Sequence, residues 1–183
     1  MAILVISDTH GSVDAWAKVK KYLNNNIDCM FHAGDIYYFG PRNSIPEGHA
    51  PGLLSSELNS LSIPMICSKG NCDSDVDQLV SSFPLCNPFG FALIQGKRIL
   101  ITHGHHYTQE QLLNLAIQWK LDIVITGHTH IARLEKVNDV VFLNPGSCAL
   151  PKNFPGIGVV DDNSVELINL LDGSCVERID LSR

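Results

Sequence analysis

Apolar residues fall into short runs separated by polar, glycine-rich punctuation, and the period of each run predicts an element. Residues 3–6 form a continuous apolar run of strand length, the pattern of a strand covered on both faces. After Ser12, the side chains Trp16, Val19 and Leu23 recur at helical spacing. Residues 29–33 and 64–68 repeat the strand signal, with residues 53–58 as a short helix between them. Strands alternating with helices in this way predict a parallel α/β layer.

The second half of the chain changes character. Residues 91–95, the dipeptide Gly96-Lys97 and residues 98–102 read as a hairpin, because glycine supplies the positive φ that tight connections need. Thr108 then caps a helix, with Gln111 at the capping-box position and Leu112, Leu115, Ala116 and Trp119 on one face. Residues 123–126 form another buried strand. Beyond them, residues 133–137, 140–144, 157–160, 165–170 and 175–181 read as antiparallel strands, with hairpin turns at Asn138-Asp139 and Asp172-Gly173. The expected fold class is α/β: two mixed sheets packed together, flanked by helices.

At 183 residues, 45% of them apolar, the chain is expected to build one domain over residues 1–183. No repeat or charge run divides it, and residues 40–52 read as one long loop. Thirteen Lys and Arg against nineteen Asp and Glu leave a formal charge of -6, which disfavours long nucleic acid as a partner. A small phosphorylated ligand stays open, because a local metal site overrides the global field. No apolar run approaches the roughly 20 residues of a membrane helix, and the first one meets Asp8 and His10 too early for a signal peptide. Six cysteines without a CxxC pair suggest reduced thiols and a cytoplasmic protein. Cys29, Cys67, Cys148 and Cys175 lie in or beside apolar runs and are expected to pack as small hydrophobes.

Chemistry collects at the predicted strand ends, where open α/β sheets bind their ligands. They carry Asp8-Thr9-His10-Gly11, Gly34-Asp35, Gly70-Asn71-Cys72-Asp73, His103-Gly104-His105 and Gly127-His128-Thr129-His130. Each fragment alone has a plain structural explanation: Asp8 caps the next helix, His10 or His32 is a core or surface histidine, and Gly34-Asp35 turns the chain. Together they exceed what turns require. Carboxylates, imidazoles and one amide converging beside glycines suit two borderline divalent ions, Mn, Fe or Zn, rather than Ca or Mg. Competing motifs are absent: there is no His-Glu-x-x-His, no GxxxxGK[ST] loop, no Pro-Cys-x-x-Cys and no Gly-x-Ser-x-Gly elbow. Asn144-Pro145-Gly146-Ser147 reads as a turn after a strand that borders the same cleft, ahead of a nucleophile.

The ordered series Asp8-x-His10, Gly34-Asp35, Gly70-Asn71-x-Asp73, His103 and Gly127-His128-x-His130 resembles the calcineurin-like metallophosphoesterase superfamily over most of the chain. Within it, the small size, the Gly-Asn-Cys-Asp form, the loop beginning Gly40-Pro41-Arg42 and Asp75-Val76-Asp77-Gln78 are similar to the bacterial YfcE-type phosphodiesterases. The resemblance implies a four-layer α/β/β/α sandwich with a dinuclear site at one end of the sheets. By motif, Asp8, His10 and His130 would hold one metal, Asn71, His103 and His128 the other, and Asp35 would bridge them. The chemistry implied is in-line attack on phosphorus by a metal-bridging hydroxide, with Asn71 donating a hydrogen bond to a phosphoryl oxygen. Mn is the metal the resemblance favours, with Fe, Zn and Ni as alternatives. Asp73 would act from behind the ligands.

One residue departs from the pattern. Many relatives carry His after the motif's Asn, placed to protonate the leaving oxygen; here it is Cys72, whose ordinary pKa of about 8.5 makes it a poor substitute. His105 is the nearest replacement by sequence, with His32 and His106 behind it, each equally readable as a bystander. The expectation that follows is a preference for diesters or activated esters whose leaving groups need little protonation. Substrate choice is expected in residues 37–51, where Arg42 either forks onto a phosphate or is simply solvated. Trp16, Tyr37, Tyr38, Phe39 and Tyr107 either stack on an aromatic group or pack in the fold.

Three functions remain in view: a phosphodiesterase for a small diester, a catalytically weak interaction scaffold on the same fold, and an exonuclease on short oligonucleotides. The complete ligand series favours the first over the scaffold. The acidic balance and the lack of a basic stripe weigh against the exonuclease. A homo-oligomer is expected on frequency alone.

Overall fold

The computed structural model describes residues 1–24 and 26–181. In chain order its elements are β1 (Ala2–Ile6), α1 (Val13–Val19), β2 (Ile27–His32), α2 (Pro51–Asn59), β3 (Met65–Ser68), α3 (Asp75–Val80), β4 (Leu85–Cys86) and β5 (Gly90–Ile94). There follow β6 (Lys97–Ile101), α4 (Gln109–Trp119), β7 (Ile123–Ile125), β8 (Arg133–Val137), β9 (Val140–Asn144), β10 (Gly156–Val160), β11 (Ser164–Asn169) and β12 (Cys175–Asp180). A seven-stranded sheet runs β12-β11-β10-β1-β2-β3-β4, and a five-stranded sheet runs β5-β6-β7-β9-β8. Strands β1 to β4 are parallel, as are β6, β7 and β9; the antiparallel strands lie outside these parallel centres.

Strand alternation explains the layers. Ile3 and Val5 of β1 join Ile99, Ile101, Ile123, Ile125, Val141 and Leu143 in one core, so the two sheets pack face to face. Leu4 and Ile6 point the other way, onto Trp16 and Val19 of α1 and Leu54 and Leu58 of α2. On the far side, Leu100, Val124, Val140 and Phe142 meet Leu112 and Ala116 of α4. Three cores between four layers give the α/β/β/α sandwich. Because the central strands are covered on both faces, their sequences are continuous apolar runs.

Local details correct several expectations. The β5–β6 turn is Gln95-Gly96, both at positive φ (50° and 78°), so Lys97 already pairs with Ile94 and the turn sits one residue earlier than read. Helix α2 takes Pro51 at its first turn and includes Gly52, which shortens the preceding loop. Helix α3 and strand β4 were not foreseen: Val76, Leu79 and Val80 face solvent, so α3 has no buried period to reveal it. The Thr108–Gln111 capping box forms as expected, but Trp119 ends α4 38% exposed, edge-on to Phe89. Cys67 and Cys148 are buried and Cys29 partly so, whereas Cys175 is exposed because β12 is an edge strand. No helix among the described residues is long and apolar enough to cross a membrane.

Candidate metal centre

The parallel strands β1, β2, β3, β6 and β7 all end on the same side, and the polar residues that follow them meet above the sheets. The loops that carry them are bonded to one another: Asp8 N donates to Gly34 O (3.0 Å), His10 N to Asp35 O (3.1 Å) and Gly11 N to Ile36 O (2.7 Å). Nine non-glycine residues among those described have positive φ, and five of them are Asp8, His10, Asp35, His128 and His130. The other four, Gln95, Lys120, Asn138 and Asp139, lie at hairpin turns or a helix end. Such backbone costs about 1–3 kcal/mol per residue and persists where surrounding structure enforces it, typically at functional sites. Gly70 is one means of enforcement: a Cβ there would overlap Asp35 Oδ1 and Asp35 N. Gly127 is another: a Cβ there would overlap Ser7 Oγ.

The first cluster is Asp8, His10 and His130. Nδ1 of His10 lies 2.7 Å from Tyr38 O, and Nδ1 of His130 lies 2.7 Å from Leu150 O. A carbonyl only accepts, so each ring carries its proton on Nδ1 and turns the Nε2 lone pair inward. Those two Nε2 atoms face each other at 3.1 Å and stand 3.7 Å (His10) and 3.3 Å (His130) from Asp8 Oδ1. Asp8 Oδ1 is buried without a hydrogen-bond partner. Its sister Oδ2 accepts from Ser7 Oγ (2.5 Å) and His128 N (3.1 Å). Two lone pairs and an unpartnered carboxylate oxygen pointing at one spot are what a cation needs.

The second cluster is centred on Asp35. Its Oδ2 lies 3.4 Å from His103 Nε2, which is 3.1 Å from Asn71 Oδ1, while Nδ1 of His103 donates to Ala33 O. Asp35 also falls within ligand range of Asp8 and, on its other side, of His10 and Cys72. The His128 ring packs edge-on against His103, centroids 5.2 Å apart. All seven residues of the predicted ligand series are therefore gathered, from loops on both sheets.

Burial alone would raise the Asp8 carboxyl, but the adjacent His130 and His103 rings and the Ser7 hydrogen bond bring it below the ordinary value. Burial is likewise overcome at Asp35 by the His103 hydrogen bond and charge and by the Cys72 amide, which hold it well below the usual carboxylate range. Burial disfavours a charged His103, yet its hydrogen bond to Asp35 and the charges of Asp8 and Asp35 lift it to about 9. A buried site that keeps its carboxylates ionised is prepared for positive charge.

Several residues act from behind. Asp73 accepts Asp35 N and Gly70 N on Oδ2 and Ile36 N on Oδ1, each at 2.8 Å, and so ties the β2 and β3 loops together. Asn144 donates to Gly127 O (2.8 Å) and Thr129 Oγ1 (3.1 Å), and Ser147 Oγ donates to Asp8 O (2.7 Å). Ser147 is fully buried and spent on that bond, so the turn reading of its segment holds. The orienting carbonyls of Ala33, Tyr38 and Leu150 were invisible in the sequence, because a backbone oxygen has no residue signature.

Of the proposed proton donors, His32 drops out. It is fully buried, its Nε2 bonds Thr9 Oγ1 (2.9 Å), its Nδ1 accepts Gly34 N (3.1 Å), and burial pushes it down to about 3. His105 stands beside His103 and His128, its Nδ1 buried and unpartnered, with burial and the neighbouring imidazoles pushing it down to about 4. His106 is exposed and packs against it with the rings tilted, centroids 3.8 Å apart. Burial and the Asp35 carboxylate push the Cys72 thiol up to about 12. Two clefts flank the donors. One, about 500 Å3, is lined by Tyr38, Phe39, Arg42, Asn71, Cys72 and Ser74 among others; the second, about 240 Å3, runs from Gly104, Gly127 and His128 over Tyr107, Leu112 and Phe142. Trp16 and Tyr37, by contrast, are core side chains.

A two-sheet sandwich with carboxylates, imidazoles and an amide gathered beyond its parallel strands defines a metallophosphoesterase, and the chain belongs to the calcineurin-like phosphoesterase superfamily, whose domain model matches residues 1–161. It is an enzyme of that class, a phosphoester hydrolase. It is 34% identical to Phosphodiesterase YfcE of Escherichia coli K12 over 182 residues, covering 98% of this chain and 97% of the relative. Phosphodiesterase MJ0936 of Methanocaldococcus jannaschii is 29% identical over 175 residues, covering 91% of this chain and 96% of the relative. The solved structure of the E. coli phosphoesterase YfcE superposes with a TM-score of 0.89 at 31% identity, covering both chains completely.

Proposed function

We propose that residues 1–183 form a single metallophosphoesterase domain that hydrolyses a small phosphodiester at a dinuclear centre. The observation that carries this reading is that two separate clefts each share a residue with the donor cluster, Asn71 in one and His128 in the other, which offers room for the two organic groups of a diester. Asp8, His10 and His130 would hold one divalent ion and Asn71, His103 and His128 the other, with the Asp35 carboxylate shared. The unpartnered Asp8 Oδ1 and the opposed Nε2 atoms of His10 and His130 fit that assignment. Bound there, two such ions supply Lewis acidity and a water of lowered pKa. Mn suits this mixed donor set, as do Fe, Zn and Ni.

The chain's own groups do the rest. The Asn71 amide orients a phosphoryl oxygen, and Arg42, at the edge of the larger cleft, supplies a guanidinium fork for the same phosphate. Neither Cys72 nor His105 is poised to give up a proton near neutral pH: burial holds the Cys72 thiol protonated and keeps the His105 ring uncharged. The site therefore favours esters whose leaving groups need no proton. The six free thiols support a reducing, cytoplasmic setting. The gathered donor set argues against a scaffold that has lost its chemistry.

The test is hydrolysis of bis(p-nitrophenyl) phosphate and p-nitrophenyl phosphate by chelated protein, before and after adding Mn, Ni, Zn or Mg, with Asp35→Asn in parallel. Metal-restored activity that prefers the diester and is lost in the variant is expected. Folded protein inactive with every metal would overturn the reading.

A further inference from the structure

The smaller cleft lies on the outer face of the five-stranded sheet, between the start of α4 and the strands β8 and β9. Its inner end is Gly104, Gly127 and His128, so it opens directly from the donor cluster. Its walls are apolar and partly aromatic: Tyr107 and Leu112 on the α4 side, Phe142 on the floor and Ile131 at the mouth. Ile131 is 47% exposed although it immediately follows the donor His130, so an apolar side chain stands open to solvent beside the metal centre.

The polar groups around the cleft are already engaged with one another. Glu135 accepts Gln109 Nε2 on one oxygen (2.7 Å) and Arg133 on the other (2.5 Å), and Asn144 is spent on the Gly127–Thr129 loop. The one charged pair in this cleft, Arg133 with Glu135, is self-neutralising, whereas the larger cleft sets Arg42 beside Asn43, Asn71 and Ser74 with Asp73 behind them. Drug-sized ligands occupy about 300–1,000 Å3. A cleft of about 240 Å3 therefore takes a single flat ring system.

We propose that this cleft is a subsite for one ester group of the substrate, and that the group it takes is a planar aromatic ring, either a simple aryl group or a nucleobase. The inference rests on the diester reading above. Phosphate held at the donors would lay one ester oxygen toward His128 and its ring over Phe142, between Tyr107 and Ile131. The second ester group would lie in the larger cleft, toward Arg42.

Binding of C–P-bonded diester analogues to Mn-loaded enzyme tests the proposal without requiring turnover. Calorimetry compares monomethyl phenylphosphonate with monomethyl methylphosphonate, which share charge and metal-binding oxygens and differ only in the ring. A thymidine ester of methylphosphonic acid separates nucleobase from aryl recognition. The ring-bearing analogue is expected to bind about tenfold tighter, and the ratio to shrink several-fold in Tyr107→Ala and in Ile131→Ala. Ile131 is surface-exposed, so its truncation keeps the test valid if Tyr107→Ala fails to fold. A ratio near one, or a ratio unchanged in both variants, overturns the subsite while leaving the diester reading intact. If neither phosphonate binds to protein that has taken up Mn, the diester reading itself fails and the subsite with it.

Discussion

His10 and His130 point their Nε2 atoms at one another across 3.1 Å, and each ring is locked in that pose by a backbone carbonyl 2.7 Å from its Nδ1. With both Nδ1 protons committed to carbonyls, the pair repels unless a second proton or a cation lies between. Metal removal is therefore expected to destabilise the fold. A ligand at 100 times its Kd adds about 2.7 kcal/mol, and at this chain length each kcal/mol moves Tm by about 2–4 °C. Scanning calorimetry before and after chelation should show a drop of roughly 5–10 °C, reversed by Mn. An unchanged Tm would contradict a metal held at this pair.

Asp73→Asn tests the brace behind Asp35. The carboxylate accepts three amides, and an asparagine can offer an acceptor on one side only. At least one buried N–H is left facing another donor, at about 1–3 kcal/mol for each lost partner. Urea unfolding should register that loss, together with weaker metal binding in a titration. Stability equal to wild type would show the three bonds to be dispensable.

Cys72→His is expected to change leaving-group demand. An imidazole at that position titrates closer to neutral pH than a thiol pushed up to about 12. General-acid help of about 10²-fold should appear on alkyl esters and little on p-nitrophenyl esters, whose leaving group needs none. Steady-state rates on the two ester types decide it, and a uniform gain or none would count against the assigned role of position 72.

Alkaline pH should weaken the fold through Cys148. Burial, followed by the Asp8 charge, raises this thiol from 9.0 to about 12, so between those values the unfolded chain has released a proton that the folded one keeps. Stability falls with pH wherever the folded state binds more protons. The contribution is thus intact below pH 9.0 and lost as pH climbs toward 12. Urea midpoints at about pH 8 and 10.5 should drop more steeply for wild type than for Cys148→Ala, and parallel slopes would refute the assignment.

Much of this was legible because strand ends in a parallel sheet are punctuated by glycine. Gly34, Gly70 and Gly127 flag the places where Asp35, Asn71 and His128 leave the sheets, and the structure gathers those residues where the runs said the strands would stop. What stayed hidden has physical reasons. Helix α3 turns Val76, Leu79 and Val80 to water, so hydrophobic period cannot announce it. His32 looked like His105 on paper; only packing reveals that one is enclosed between Thr9 and Gly34 and the other borders the centre. The cleft beside His128 is assembled from α4, β8 and β9 with the loops before them, and no local pattern encodes such a meeting.

The donors are divided between the two sheets: Asp8, His10, Asp35 and Asn71 follow strands of one, His103, His128 and His130 two strands of the other. The width of the gap they span is consequently set by the aliphatic layer beneath, where Ile3, Val5 and Phe31 meet Ile99, Ile101 and Ile125. That layer is a gauge block. Shaving a methylene from it far below the surface would change the span available to the proposed pair of ions at the top, so the tolerance of this chemistry would be machined into side chains that never meet a substrate.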